Sequence, residues 1–307
     1  MTDDGRFGVL LMTYGSPADL DDVPRYLSAV RGGREPVPDV VAEFVRRYRV
    51  IGGSPLVAIT SAQAAALEAR LGRTVVVRAG MRFSDPTIAD AIGSLVAAGV
   101  ERVAAIILSP QHSPLIMGGY GRAVDAALEA LGPNAPDVRI ATAWHLEPQF
   151  LDALAGRIGA GLGRFDPAER DTVPVLLTAH SLPRRVADQE PGYLDQLAAT
   201  AEAVAARAGL SGDRWTFCWQ SAGHEPGEWM KPDFADLMPE LQAAGHGAVL
   251  VAPIQFLADH LEVLYDIDVG AREQAERHGL RFERIASLNT DPTFIDALAA
   301  VALATIA

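Results

Sequence analysis

The stretch Val9-Leu10-Leu11-Met12-Thr13-Tyr14 returns in altered form as Val175-Leu176-Leu177-Thr178-Ala179-His180, with a proline three residues beyond each, Pro17 and Pro183. Each is a short apolar run without polar alternation, the pattern of a strand buried on both faces. A second echo joins Leu95-Val96-Ala97-Ala98-Gly99 to Leu241-Gln242-Ala243-Ala244-Gly245. Helix–Gly–strand is common in α/β chains, so the echo points to an internal duplication without proving it. Further runs predict strands over 7–12, 74–79, 103–108, 138–143, 173–178, 215–220, 248–253 and 282–286. Segments of helical period lie between them, including 61–71, 86–98, 148–162, 193–208 and 233–244. Strand and helix in alternation predict parallel sheets flanked by helices. Four strands in each half predict two Rossmann-like domains with a cleft between them. The boundary falls between 143 and 148, giving domains 1–145 and 146–307. The final helix is a candidate to pack back on the first domain.

Bulk properties exclude several functions. The chain has 307 residues, 49% of them hydrophobic, enough for a substantial core. Its net charge is −13, which repels nucleic acid and anionic lipid. No apolar segment reaches the length that spans a bilayer, and residues 1–6 lack the features of a secretory signal. Cys218 is the only cysteine, which excludes an internal disulfide and any four-cysteine cluster built from one chain. A cytoplasmic location is the expectation. Lys231 is the only lysine, a bias towards Arg that carries no functional reading.

Ligands of open α/β sheets bind beyond the carboxyl ends of the strands. There the sequence places Thr13-Tyr14-Gly15-Ser16-Pro17, then Ser109-Pro110-Gln111-His112-Ser113-Pro114 with Gly118-Gly119-Tyr120, then His180-Ser181, then Gln220-Ser221 with His224, then Asp259-His260-Leu261-Glu262 running to Asp266. A lone histidine after a strand is more often a hydrogen-bonded loop residue than a catalytic one. Here there is company. Glu262 and Asp266, four apart, share one helical face and follow the apolar stretch Pro253-Ile254-Gln255-Phe256-Leu257. Carboxylates in such surroundings need a cation, a proton or water, and imidazole with carboxylate suits Fe²⁺. A second cluster, Arg25, Arg31, Arg34, Arg46, Arg47 and Arg49 against Glu35, Asp39 and Glu43, leaves a local excess of positive charge. Its bland reading is a solvated helix face. Its functional reading is a set of forks for carboxylates.

Five motifs in order then resemble those of the ferrochelatase family: Leu10-Leu11-Met12-Thr13-Tyr14-Gly15-Ser16-Pro17, Tyr48-Arg49-Val50-Ile51-Gly52-Gly53-Ser54-Pro55-Leu56, Ala179-His180-Ser181-Leu182-Pro183, Trp219-Gln220-Ser221, and Asp259-His260-Leu261-Glu262-Val263-Leu264-Tyr265-Asp266. The resemblance implies two Rossmann-like lobes of the chelatase kind around a porphyrin. It implies that His180 and Glu262 handle the metal and the pyrrole protons, with Asp266 further out on the same helix. Tyr14 matches the tyrosine that ligates the product iron in the coproporphyrin branch. Arg31, Arg47, Tyr48, Ser54 and Tyr120 match residues that hold the porphyrin and its propionates. Departures are Gly270 in place of a third acidic residue, a Gly52-Gly53-Ser54 segment one residue short, Gly32 beside Arg31, Phe83 where some relatives have His, and the missing cluster cysteines.

The implied activity is that of a lyase-type metallochelatase of haem b biosynthesis, inserting Fe²⁺ into coproporphyrin III to give coproheme. No cofactor beyond the substrate iron is expected, and no iron–sulfur cluster. Coproporphyrin III and Fe²⁺ are the expected partners, and a downstream haem-pathway enzyme is a candidate one. Rivals are a protoporphyrin ferrochelatase, a cobalt or nickel tetrapyrrole chelatase, and a non-catalytic haem carrier. A nucleotide-binding protein is disfavoured, because no GxGxxG follows the first strand and no Walker lysine exists.

Overall fold

The computed structural model describes residues 7–223 and 227–307. His224, singled out by its place after a strand, lies outside the described residues. Among the described residues eight strands follow the expected runs: β1 (Phe7–Thr13), β2 (Val75–Met81), β3 (Arg102–Ile107), β4 (Asp137–Ile140), β5 (Val175–His180), β6 (Trp215–Gln220), β7 (Ala248–Pro253) and β8 (Arg281–Arg284). They form two parallel four-stranded sheets, ordered β2-β1-β3-β4 and β6-β5-β7-β8. The two orders are the same pattern, so β1 and β5, which carry the echoed sequence, hold equivalent central places. Val9 pairs with Val77 and Ala104, and Leu177 pairs with Phe217 and Ala252. Both flanks of these strands are covered, which is why their apolar runs show no alternation.

The helices are α1 (Val23–Val30), α2 (Pro38–Ile51), α3 (Leu56–Leu71), α4 (Ile88–Ala97), α5 (Pro114–Leu131), α6 (Pro148–Leu162), α7 (Pro167–Arg170), α8 (Arg184–Ala187), α9 (Pro191–Arg207), α10 (Phe234–Ala243), α11 (Arg272–Arg277) and α12 (Pro292–Ile306). Local chemistry sets several starts. The Asp233 carboxylate accepts from the amides of Ala235 and Asp236, and Asp236 reciprocates, a capping box that opens α10. The helix expected over 61–71 begins earlier, at Leu56. Glu262–Ala271 is a π-helix rather than an α-helix. Val263, Ile267 and Ala271 form its buried row, and Glu262, Asp266 and Gly270 a second row beside it.

One apolar cluster contains β1 and β3 residues of the first sheet, β5 and β7 residues of the second, and α6 and α12. Trp144 belongs to it, 5.3 Å from the Phe150 ring and 6.4 Å from the Phe294 ring. Complete burial of a side chain such as Phe294 stabilises the fold by roughly 2–3 kcal/mol. Helix α12 packs on α3 and β3 as well as on α6. Among the described residues no single helix is long and apolar enough to cross a membrane. Helices α2 and α3 meet that test only as a pair, bent by 55°.

Candidate active site

The carboxyl ends of β1, β3 and β5 and the segment after β7 open on one cavity of about 480 Å³, also walled by α1, α2 and α5. Tyr14, Tyr48, Ser54, Tyr120, His180 and Glu262 all line it. Asp266, Arg31 and Arg47 are not in its lining.

His180 is the last residue of β5. Its backbone N–H donates to Gln255 Oε1 at 2.8 Å, and Gln255 Nε2 donates to the Tyr193 hydroxyl. Its ring Nδ1 lies 2.5 Å from the Ser181 carbonyl. A carbonyl only accepts, so this contact assigns the proton to Nδ1 and leaves the Nε2 lone pair free in the neutral ring. Nε2 stands 3.6 Å from Glu262 Oε2. Two acceptors facing each other at that distance favour a proton or a cation between them. Both side chains keep about a third of their surface exposed, 33% and 38%, so solvent and a ligand can reach the gap. Among the described residues no group of three or more His, Cys, Asp or Glu side chains converges as a metal site.

His260 lines the cavity together with this pair. Its Nδ1 accepts the Glu262 N–H at 3.1 Å, and burial lowers its pKa below the ordinary histidine value. Phe256 sits edge-on to both imidazoles, with ring centroids 6.5 Å from His180 and 4.6 Å from His260. Asp266, one step along the π-helical row, has its pKa raised by burial, an effect opposed by a hydrogen bond from Ser221. Arg47 is paired with two carboxylates. Its Nε donates to Glu43 at 2.8 Å, and its Nη1 lies 3.4 Å from Asp266. Glu43, held by Arg46 and then Arg47, is depressed to about 2. Arg31 is exposed at the end of α1, next to the lining residue Val30.

The first sheet supplies Tyr14, 40% exposed, directly after β1. Gly15 follows with φ +86°, and a Cβ there would lie 2.0 Å from Ser84 Oγ, so only glycine lets the chain turn at this point. The Tyr14 ring lies 5.0 Å from Phe83 and 6.2 Å from Tyr120. The Arg82 guanidinium sits over all three rings. It fits against Gly119, where a Cβ would come within 2.1 Å of it. Tyr48 and Tyr120 are buried, which pushes both phenols well above the ordinary tyrosine value. Ser54 is half-buried and accepts weakly from the Leu56 amide at 3.4 Å.

Some residues of the site escape the strand-end reading. Tyr26 lines the cavity and donates to the Gly15 carbonyl at 3.0 Å. It belongs to the helical row Val23, Tyr26, Leu27, Val30, a period readable in the sequence. Arg82 directly follows β2, so applying the strand-end rule to that strand as well finds it. Gln111 and His112 bond instead to Thr200 and Gln196, which ties α9 to the end of β3 and leaves both residues outside the cavity.

The ferrochelatase family model matches residues 6–305. A ferrochelatase from Deinococcus radiodurans is 40% identical over 305 residues, covering 98% of this chain and 96% of that protein. The coproporphyrin III ferrochelatase of Geobacillus thermodenitrificans is 38% identical over 307 residues, with the same coverage. Among solved structures, SirB from Bacillus subtilis with Fe³⁺ superposes with a TM-score of 0.64 at 12% identity, covering 98% of this chain and 96% of that one. At that identity the likeness concerns the fold alone, and it is a chelatase fold. Sequence match over nearly the whole chain, two sheets of one topology and a cleft between their strand ends agree: the chain belongs to the ferrochelatase family of metal-chelating lyases.

Proposed function

We propose that this protein inserts Fe²⁺ into coproporphyrin III. The observation that carries the reading is the 3.6 Å gap between His180 Nε2 and Glu262 Oε2 on a cavity whose first-sheet side presents Tyr14. The overall change is balanced simply. Fe²⁺ enters the macrocycle, two N–H bonds break, and two protons leave. A neutral His180 with its lone pair on Nε2 is a suitable first acceptor. Glu262 offsets the charge of the arriving ion and can take a proton in its turn. Asp266 lies on the same row, in position to continue transfer outward. The mostly apolar lining suits a flat macrocycle.

The coproporphyrin assignment rests on charge and on names. Coproporphyrin has four propionates and protoporphyrin two, and the arginine-rich α1–α2 region flanks the cavity. Relatives at 38% and 33% identity are named coproporphyrin III ferrochelatases. Others at 40% and 39% are named ferrochelatases without a stated porphyrin. The test is anaerobic turnover of Fe²⁺ with each porphyrin, followed by loss of free-porphyrin fluorescence. Faster insertion into coproporphyrin III is expected. Equal rates would overturn the branch assignment, and no insertion into either would overturn the reading.

A further inference from the structure

The π-helix that presents Glu262 is an unusual element, and such helices cluster at functional sites. A contact from outside the element can hold its wider turns in place. The structure supplies one outside the cavity lining. Arg284, the last residue of β8, is a buried cation with only 12% of its side chain exposed. All five of its N–H groups find acceptors. Nε donates to Asp268 Oδ1 at 2.7 Å and Nη2 to Asp268 Oδ2 at 2.9 Å, a two-pronged fork. Nη2 also reaches Asp259 Oδ1 at 3.4 Å. Nη1 donates to the Ile285 carbonyl at 2.8 Å and to Ser287 Oγ at 3.3 Å.

Asp259 is held from further sides. It accepts from Ser287 Oγ at 2.7 Å and from Asn289 Nδ2 at 2.9 Å, while its own amide donates to Asn289 Oδ1 at 3.0 Å. Asn289 adopts φ +47°, a conformation uncommon for a residue with a side chain. Its amide donates to the Leu257 carbonyl, and its carbonyl accepts from Gln63 Nε2, each at 2.8 Å. One guanidinium therefore grips the chain just before Glu262, at Asp259, and again beyond Asp266, at Asp268. His260, whose ring accepts the Glu262 amide, lies inside this bracket.

We propose that Arg284 is a positioning residue: by bracketing the π-helix through Asp259 and Asp268 it holds Glu262 opposite His180. It touches neither the cavity nor the reacting atoms. The proposal rests on the iron-insertion reading above. A lysine keeps the charge but cannot form a five-donor fork, so Arg284→Lys separates geometry from charge. Turnover per porphyrin-binding molecule is expected to fall about 10- to 100-fold. The Kd for porphyrin, measured by fluorescence quenching, is expected to stay within about threefold of wild type, since the lining is intact. Asp268→Asn, which keeps the shape and one acceptor of the fork, is expected to give a smaller loss of the same kind, and it serves if Arg284→Lys does not fold. A lowered melting temperature with kcat unchanged in the porphyrin-binding fraction would reduce Arg284 to a structural residue and overturn the proposal. A parallel loss of porphyrin affinity would overturn it too. Absence of insertion by the wild-type protein would instead overturn the functional reading beneath it.

Discussion

Arg47 Nη1 stands 3.4 Å from Asp266 Oδ1, an ion pair that ties helix α2 to the π-helical row headed by Glu262. Both side chains are about four-fifths buried. Tyr265 strengthens the junction: Arg46 donates to its hydroxyl, and the guanidinia of Arg46 and Arg47 lie 5.2 and 5.1 Å from its ring centroid. A cation of α2 thus occupies the carboxylate proposed to continue proton transfer from Glu262.

Removing that cation should make Asp266 more available to iron. Arg47→Gln is expected to lower the KM for Fe²⁺ by a few-fold, in keeping with a partly screened pair worth on the order of 1 kcal/mol. The Kd for coproporphyrin should change by less than about threefold. Steady-state kinetics and fluorescence titration measure the two separately. A tenfold or greater loss of porphyrin affinity would show that Arg47 leaves Asp266 to hold a propionate.

Among the described residues Arg31 forms no such ion pair, and it is exposed beside Val30, which lines the cavity. An exposed cation attracts carboxylates over a distance set by salt. Arg31→Gln should weaken coproporphyrin binding about three- to fivefold at low ionic strength, with the difference shrinking at high salt. Titrations at two salt concentrations check this. An equal effect at both would exclude an ionic contact.

His180 and Glu262 act, on this reading, in the chemical step. His180→Ala and Glu262→Gln should each lower turnover by about 10²- to 10⁴-fold, the range expected when a general base is removed. Porphyrin affinity should remain near wild type, because most of the lining is untouched. Single-turnover fluorescence and equilibrium binding report the two quantities. Retention of most of the turnover by His180→Ala would place the base elsewhere.

The strands were legible because doubly buried parallel strands read as unbroken Val, Ile and Leu runs. Helix α6 likewise begins and ends where its period predicts, at Pro148 and Leu162. Helix α5 is obscured in the sequence by Gly118, Gly119 and Gly121, poor helix formers, of which Gly119 makes room for Arg82. Tyr14 and His180 stood out because strand ends are where α/β sheets bind ligands. The width of the π-helix was not legible. Its rows at every fourth residue look like an α-helix, and the bracket at Arg284 is a tertiary feature. The Arg47–Asp266 pair was hidden for the same reason, its partners lying far apart in the chain.

Asp266 carries a stability cost that its replacement should reveal. Burial raises its folded-state pKa above the ordinary carboxylate value. Such a group favours the folded state least at neutral pH, where it is ionised in both states. The penalty develops as pH rises from the unfolded value near 4 through the raised folded value. Asp266→Asn should therefore raise the melting temperature at pH 7 by about 1–3 °C, with the gain fading towards pH 4. Insertion should slow if the carboxylate carries protons outward. A lower melting temperature at pH 7 would show that the Arg47 ion pair outweighs the burial cost.

Tyr14 offers the sharpest distinction between a ligand and a packing residue. Its ring is braced by Phe83 and by the Arg82 guanidinium, 5.4 Å from its centroid, so Tyr14→Phe keeps the packing and removes only the hydroxyl. A phenolate oxygen prefers ferric to ferrous iron. The residue should therefore matter little while Fe²⁺ is being inserted and more once the bound product is oxidised. Tyr14→Phe is expected to retain insertion within about fivefold, since no proton acceptor is lost. With Tyr14 proposed as a ligand of the product iron, the visible spectrum of the bound ferric product should change. On the same proposal product release should also quicken. An unchanged ferric spectrum would mean that the Tyr14 hydroxyl never reaches the metal and that its place after β1 serves packing against Phe83 and Tyr120.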